Sequence, residues 1–159
     1  KRSTGGLYLK GYNTDVIGFT NSIRPLLKPH HTHALILGTG GASKAVDYAL
    51  RELGLGTCFV TRTKQNGMLT YNELTPEIMA QHTVIVNTTP LGMHPKTDEC
   101  PPLDYSLLTS DFLLFDLVYN PEKTLFLQRG EQQGAAICNG MEMLIGQARA
   151  AWEIWNEKD

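Results

Sequence analysis

Three features of the chain could carry chemistry: an acid in a polar turn, a glycine string between two apolar segments, and an arginine just beyond the next apolar run. The acid is Asp15, within Gly11-Tyr12-Asn13-Thr14-Asp15-Val16-Ile17-Gly18. Beside a substrate oxygen, a carboxylate can pass a proton or orient a neighbouring ammonium, and general acid–base work of this kind contributes about 10²–10⁴-fold. The competing reading is a helix N-cap for the segment from Val16 onward, and one residue can serve both ends. The string is Gly38-Thr39-Gly40-Gly41-Ala42-Ser43. Gly38 allows a tight turn, Gly40 lets the backbone approach a pyrophosphate, and a helix starting here offers free N–H groups and partial positive charge to that anion. Ser43 replaces the third glycine of the dinucleotide pattern. A glycine-rich turn that binds nothing is the alternative.

The residues after the second apolar run discriminate between cofactors. Dinucleotide sites that take NAD place an acid there for the ribose 2′-hydroxyl. Here the chain reads Thr61-Arg62-Thr63-Lys64, without an acid. A carboxylate would repel a 2′-phosphate, whereas a guanidinium pairs with it and stacks on adenine, so Arg62 favours NADP. A solvated surface arginine is the other reading. Asn87-Thr88-Thr89-Pro90-Leu91-Gly92-Met93 follows a further apolar run and can shape the floor under a cofactor's ribose and nicotinamide, or form a plain turn. Gln147 can offer an amide donor and acceptor, and Tyr119 a phenol; read alone they are equally an exposed helix residue and a core tyrosine.

Positioning these groups requires alternating strands and helices. His33–Leu37 reads as a strand buried on both faces, and Ala42–Leu53 as a helix stopped by Gly54. Strands are expected at Thr57–Thr61, Thr83–Asn87, Phe112–Leu117 and Ala135–Cys138, with a weaker one at Leu7–Lys10. Helices are expected from Thr75-Pro76-Glu77, over Pro121–Gln132 and over Met141 to about Trp155, and Val16–Leu27 reads as a further helix ending before Pro29. Such alternation implies an α/β fold with a doubly wound, mainly parallel, Rossmann-like sheet.

The composition agrees. The 159 residues suit one domain with a sizeable core, at 42% hydrophobic and 19% charged residues. A net charge of -2 argues against partners held by electrostatics, so neither nucleic acid nor a membrane is expected, and no apolar run reaches the length of a membrane span. The basic start lacks the apolar core of a signal peptide. Cys58, Cys100 and Cys138 have no metal-ligand spacing, which suits a reducing cytoplasm. His30, His31 and His33 read as a solvated turn. The oligomeric state stays open.

Taken in order, the GxNTDxxG string, the Gly38–Ser43 loop with Thr61-Arg62-Thr63, Asn87–Met93, Asp116-Leu117-Val118-Tyr119 with Pro121 and Thr124, and Asn139-Gly140-Met141-Glu142-Met143-Leu144 with Gln147 resemble the shikimate dehydrogenase family. The resemblance runs from about residue 7 onward. It implies an NADP-dependent enzyme of aromatic biosynthesis that reversibly reduces the small molecule 3-dehydroshikimate to shikimate. It also implies Asp15 as half of a catalytic Lys/Asp pair, and Thr14, Asp15, Tyr119 and Gln147 as substrate contacts. Gly38, Thr39, Gly40, Gly41, Ala42, Ser43, Thr61, Arg62, Thr63, Thr88, Thr89, Leu117, Gly140 and Met141 become cofactor contacts. In the family the catalytic lysine belongs to an N-terminal substrate domain, which the chain is expected to lack. Residues 1–28 are then a remnant and linker helix, and 29–159 the dinucleotide-binding domain, whose last helix packs toward the substrate domain. Such a piece is expected to bind NADP without turnover, and its separation would expose an apolar patch around Val16–Leu27. The family's second basic residue falls near Asn66, and Lys64 is the candidate to substitute for it. The rival readings are a stand-alone dinucleotide sensor and a NAD-preferring quinate/shikimate dehydrogenase.

Overall fold

A computed structural model describes residues 13–156 together with two short strands, β1 (Arg2–Ser3) and β2 (Gly6–Leu7), which pair antiparallel. Tyr8–Lys10, the rest of the expected first strand, lie outside the described residues. The chain continues through α1 (Thr14–Ile23), β3 (His33–Leu37), α2 (Gly41–Glu52), β4 (Gly56–Thr61), β5 (Leu69–Thr70), α3 (Pro76–Gln81), β6 (Val84–Asn87), β7 (Leu113–Asp116), α4 (Leu125–Gln132), β8 (Ala136–Cys138) and α5 (Met141–Asn156).

The last six strands form one sheet in the order β5-β4-β3-β6-β7-β8, every pairing parallel. The chain starts in the middle, winds outward to β5, then returns and winds the other way, which is the doubly wound arrangement. Its switch point lies between β3 and β6, where a crevice opens at the carboxyl edge. Side chains alternate between faces with the period of two that a strand imposes. Ala34, Ile36, Val84, Val86, Leu113 and Phe115 pack on one side under α1, α2 and α5, while Leu35, Leu37, Ile85 and Leu114 pack on the other against α3 and α4. Burial on both faces explains why these strands read as unbroken apolar runs.

Helix α1 is an integral part of this core. Phe19 and Ile23 are fully buried, and the Phe19 ring meets Phe115 edge-on at 5.0 Å. Each such side chain contributes roughly 1.5–3 kcal/mol through burial. The expected apolar patch at Val16–Leu27 is therefore largely covered within the chain itself. The helix ends earlier than expected, at Ile23, and Arg24–Leu26 tighten into a 3-10 turn because Pro25 cannot continue the α-helical ladder. Helix α4 starts later than expected, at Leu125 instead of Pro121, with Thr124 as its cap and the Thr124 hydroxyl accepting from Leu127 N–H. The histidine turn is not solvated throughout. His31 is buried, accepts from Lys28 N–H through Nδ1 and donates from Nε2 to the Asp111 carbonyl at 2.9 Å, fastening the approach to β3 onto the loop before β7. Among the described residues no helix is long and apolar enough to cross a membrane.

The contact that places α1 is glycine-mediated. A Cβ on Gly18 would sit 2.5 Å from the Met143 carbonyl and 2.9 Å from the Gln147 nitrogen, and Gly146 faces the Gly18 backbone. The two helices therefore touch backbone to backbone, which accounts for the glycine that closes the GxNTDxxG string. Substituting Gly18→Ala should cost about 1–3 kcal/mol of unfolding free energy, because forced separation of the helices outweighs the gain of about 1 kcal/mol in helix propensity. Urea denaturation of the two proteins measures the difference; equal or higher stability of the alanine variant would contradict this packing.

Candidate active site

Parallel strands end together, so loops after β3, β4, β6 and β7 meet at one edge. The ladder continues slightly past the strands and pins these loops there: Gly38 N–H donates to the Val60 carbonyl at 3.0 Å, Thr88 donates to the Leu37 carbonyl from both N–H and hydroxyl, and Leu117 N–H donates to the Asn87 carbonyl. Gly38 takes φ +102°, and a Cβ there would also press on Thr88 and Thr89, so glycine is required twice over.

A cavity of about 410 Å³ lies at this edge. The Gly38-Thr39-Gly40 turn forms one wall, Thr61, Arg62 and Thr63 another, and Thr88 and Thr89 the floor. Gly40 caps α2 in extended conformation, so the first-turn N–H groups of that helix open at the cavity's end. Neither Gly40 nor Gly41 has any protein atom within 4 Å of where a Cβ would stand, and neither has a positive φ. The fold does not require glycine at either position, whereas a bulky ligand lying against the turn would require it at Gly40, the one of the two on the cavity wall. Gly41, Ala42 and Ser43 form the first turn of α2, off the cavity wall. Ser43 is buried and donates to the Gly40 carbonyl at 2.6 Å, bracing the turn from behind.

Several lining residues escaped sequence reasoning: Val60, Gln65, Tyr71 and Pro102 also face the cavity. Tyr71 is half-buried beside Arg62, and burial pushes its phenol up to about 12 against the opposing pull of the guanidinium. Its place depends on β5, a two-residue strand too short to show any periodicity. Lys64 does not join Arg62 at the cavity, contrary to expectation. It lines a neighbouring hollow with Cys58 and Met68, and its ammonium contacts both Glu73 carboxylate oxygens, at 2.7 and 2.9 Å.

The residues expected to handle substrate stand at the same edge but outside this cavity. Helix α1 runs down into the start of β3, so its first turn lies at the carboxyl edge, and α5 leaves that edge after β8. Asn13 is the cap of α1, accepting from Asp15 and Val16 N–H, so Asp15 is not the N-cap. The Asp15 carboxylate makes no hydrogen bond among the described residues. Gln147 lies half-buried where α5 crosses α1, Thr14 opens α1, and Tyr119, 44% exposed, follows β7. Gly140 is buried against the Leu117 carbonyl, 2.0 Å from where its Cβ would stand, and Met141 begins α5 with 40% exposure.

Beneath the edge lies a buried polar knot. Asp116, fully buried at the end of β7, accepts from Asn87 Nδ2 and Val118 N–H on one oxygen, each at 3.0 Å, and from the Thr124 hydroxyl on the other at 2.6 Å. Asn87 in turn accepts from the Thr89 N–H and hydroxyl. One carboxylate thus joins the cavity floor, the loop bearing Tyr119 and the cap of α4. An acid inside the apolar run Phe112–Leu117 was the available signal for it.

No protein-family model matches the chain. Among curated proteins, a shikimate dehydrogenase (NADP(+)) of Carboxydothermus hydrogenoformans is 37% identical over 162 residues, 92% of this chain and 58% of the relative. One of Crocosphaera subtropica is 40% identical over the same shares. The shikimate 5-dehydrogenase of Thermus thermophilus, solved in complex with NADP(H) and shikimate, superposes with a TM-score of 0.78 at 31% identity, covering 93% of this chain and 58% of that one.

Burial pushes the Asp116 carboxyl up to about 6, opposed by its three donors. Between the unfolded value of about 4 and this folded value, the native protein holds a proton that the unfolded chain has released. The contribution of this group is full below about 4 and lost as pH rises through about 6. The stability difference between wild type and Asp116→Asn should therefore move in favour of wild type on lowering pH from 7 to 4.5, by on the order of 1–3 kcal/mol. Denaturant titrations of both proteins across that range measure it; a pH-independent difference would rule out the assignment.

The chain is similar over 92% of its length to those shikimate dehydrogenases, and it spans 58% of their own length.

Proposed function

We propose that this chain is the cofactor-holding part of an NADP-dependent oxidoreductase that interconverts 3-dehydroshikimate and shikimate. The observation that carries the reading is the cavity at the switch point, with Gly40 bare on its wall where the fold itself requires no glycine and Arg62 at the far wall. The relatives' names, which specify shikimate and NADP, favour it over a stand-alone dinucleotide sensor.

The residues fit the dinucleotide. Backbone N–H groups of the Gly38–Gly40 turn and the first turn of α2 receive the pyrophosphate, and Arg62 pairs with the 2′-phosphate while Tyr71 lines the cavity beside it. Thr88 and Thr89 hold the floor, and Leu117, Gly140 and Met141 border the nicotinamide end. When bound, the reduced nicotinamide supplies the hydride. Asp15 holds or passes the proton that balances it at the substrate oxygen, or orients an ammonium that does so; its carboxylate is available because Asn13 caps the helix instead. Thr14, Tyr119 and Gln147 orient the substrate's hydroxyl and carboxylate groups.

Residues 1–28 bring the acid to the edge, and 29–159 hold the cofactor. The outer face of α5, with Leu144, Ile145, Trp152 and Trp155 exposed, is read as turned toward the part of the enzyme that holds the substrate. Cys58, Cys100 and Cys138 form no disulfide, in keeping with a cytoplasmic protein.

Calorimetric titration tests the cofactor site. Gly40→Ala should leave stability within about 1 kcal/mol of wild type, yet weaken NADP binding at least tenfold. Arg62→Ala should cost NADP roughly 10–100-fold, the worth of a charged hydrogen-bonded pair, with little change for NAD. Equal NADP affinity in all three proteins would refute the site. For the chemistry, Asp15→Asn in the full-length protein should lower turnover by about 10²–10⁴-fold without altering NADP affinity; retained turnover would remove Asp15 from the mechanism.

A further inference from the structure

We propose that Glu73 sets the preference between NADP and NAD by holding Lys64 away from the 2′-phosphate corner. The inference rests on the dinucleotide reading of the cavity. Thr63 and Gln65 both line that cavity, so the backbone of Lys64 passes along its rim. The Lys64 side chain nevertheless turns to the other side, into the hollow with Cys58 and Met68. There its ammonium has three acceptors: the two Glu73 oxygens, at 2.7 and 2.9 Å, and the Met68 carbonyl at 3.1 Å.

Glu73 is itself fixed from behind. It occupies the third position of a capping box, accepting from the Thr70 N–H at 2.7 Å and the Thr70 hydroxyl at 3.1 Å. The carboxylate is therefore a fastened partner, and the flexible stem of Lys64 is the member that yields. Its hydrogen bonds to Lys64 and Thr70 hold its carboxyl below the usual range, so the pair stays ionised at neutral pH.

Arg62 makes no ion pair among the described residues and is the cation on the cavity wall. Recognition of the 2′-phosphate thus rests on one guanidinium, beside an ammonium neutralised by its own neighbour. The arrangement lowers the positive potential at that corner without placing an acid against the ribose, so NAD is tolerated while NADP is preferred. Released, Lys64 can swing to the rim, because a lysine side chain is a point charge on a freely rotating stem.

Glu73→Gln is the informative substitution. Glutamine keeps an acceptor for the Thr70 N–H, so the capping box survives, while the ionic hold on Lys64 is lost. Calorimetric titration with NADP⁺ and with NAD⁺ should show the NADP-to-NAD affinity ratio rising about two- to fivefold, the scale of one exposed ion pair. The double variant Lys64→Ala/Glu73→Gln should return the ratio to that of wild type. An unchanged ratio in Glu73→Gln overturns the proposal. So does a raised ratio that persists in the double variant, since the gain would then come from removing the Glu73 charge alone. If wild type binds neither dinucleotide, the reading of the cavity itself fails; binding of both with an unchanged ratio sinks only the role of Glu73.

Discussion

The arrangement at the carboxyl edge depends on one buried anion. Asp116 ends a strand whose other residues are apolar and fully buried, and it is satisfied wholly by protein donors. A buried carboxylate missing a partner costs several kcal/mol, so the donors cannot drift independently. Asn87 holds Thr89 at the cavity floor, Val118 belongs to the loop that presents Tyr119, and Thr124 caps α4. Three loops that would otherwise be free to move separately are thereby made one rigid surface. An all-apolar strand end would bury as much area, but would not specify which loop conformation accompanies it.

A second constraint fixes the acid. Nothing in the sheet dictates where α1 lies along α5; the backbone contact at Gly18 and Gly146 does. Asp15 stands three residues before that contact and Gln147 one residue after it. The acid and the amide are thus held relative to each other by a glycine crossing, the closest approach two helices can make. The geometry at this end of the edge is a property of helix packing, whereas at the cavity it is a property of strand register.

Much of the fold was legible because buried parallel strands announce themselves. Ala34–Leu37 and Val84–Val86 are apolar without alternation, as burial on both faces produces, and the glycine string between strand and helix marks the switch point. Helix ends were less legible. The α1 and α4 boundaries were set by Pro25 and by the Thr124 cap, local choices that compete with an apolar pattern running through them. The site divided in the same way. Gly38, Gly40, Arg62 and Thr88 could be found because their chemistry resides in their own side chain or its absence. Tyr71, Gln65 and the isolation of Lys64 could not, because each depends on β5 and on Glu73, nine residues further along, folding back beside the cavity. The start of α1 was read two residues late, at Val16 instead of Thr14, for a related reason: Asn13 and Asp15 are both good caps, and only the backbone decides between them.

Both tryptophans of the chain, Trp152 and Trp155, lie on α5, at 68% and 85% exposure, and the sheet core is built without an indole. The tryptophan emission of this protein therefore originates from one helical surface in contact with water. It reports what covers that surface and says little about the packing beneath it. An observer following fluorescence would watch the outside of the last helix, while the interior that positions Asp116 stayed dark.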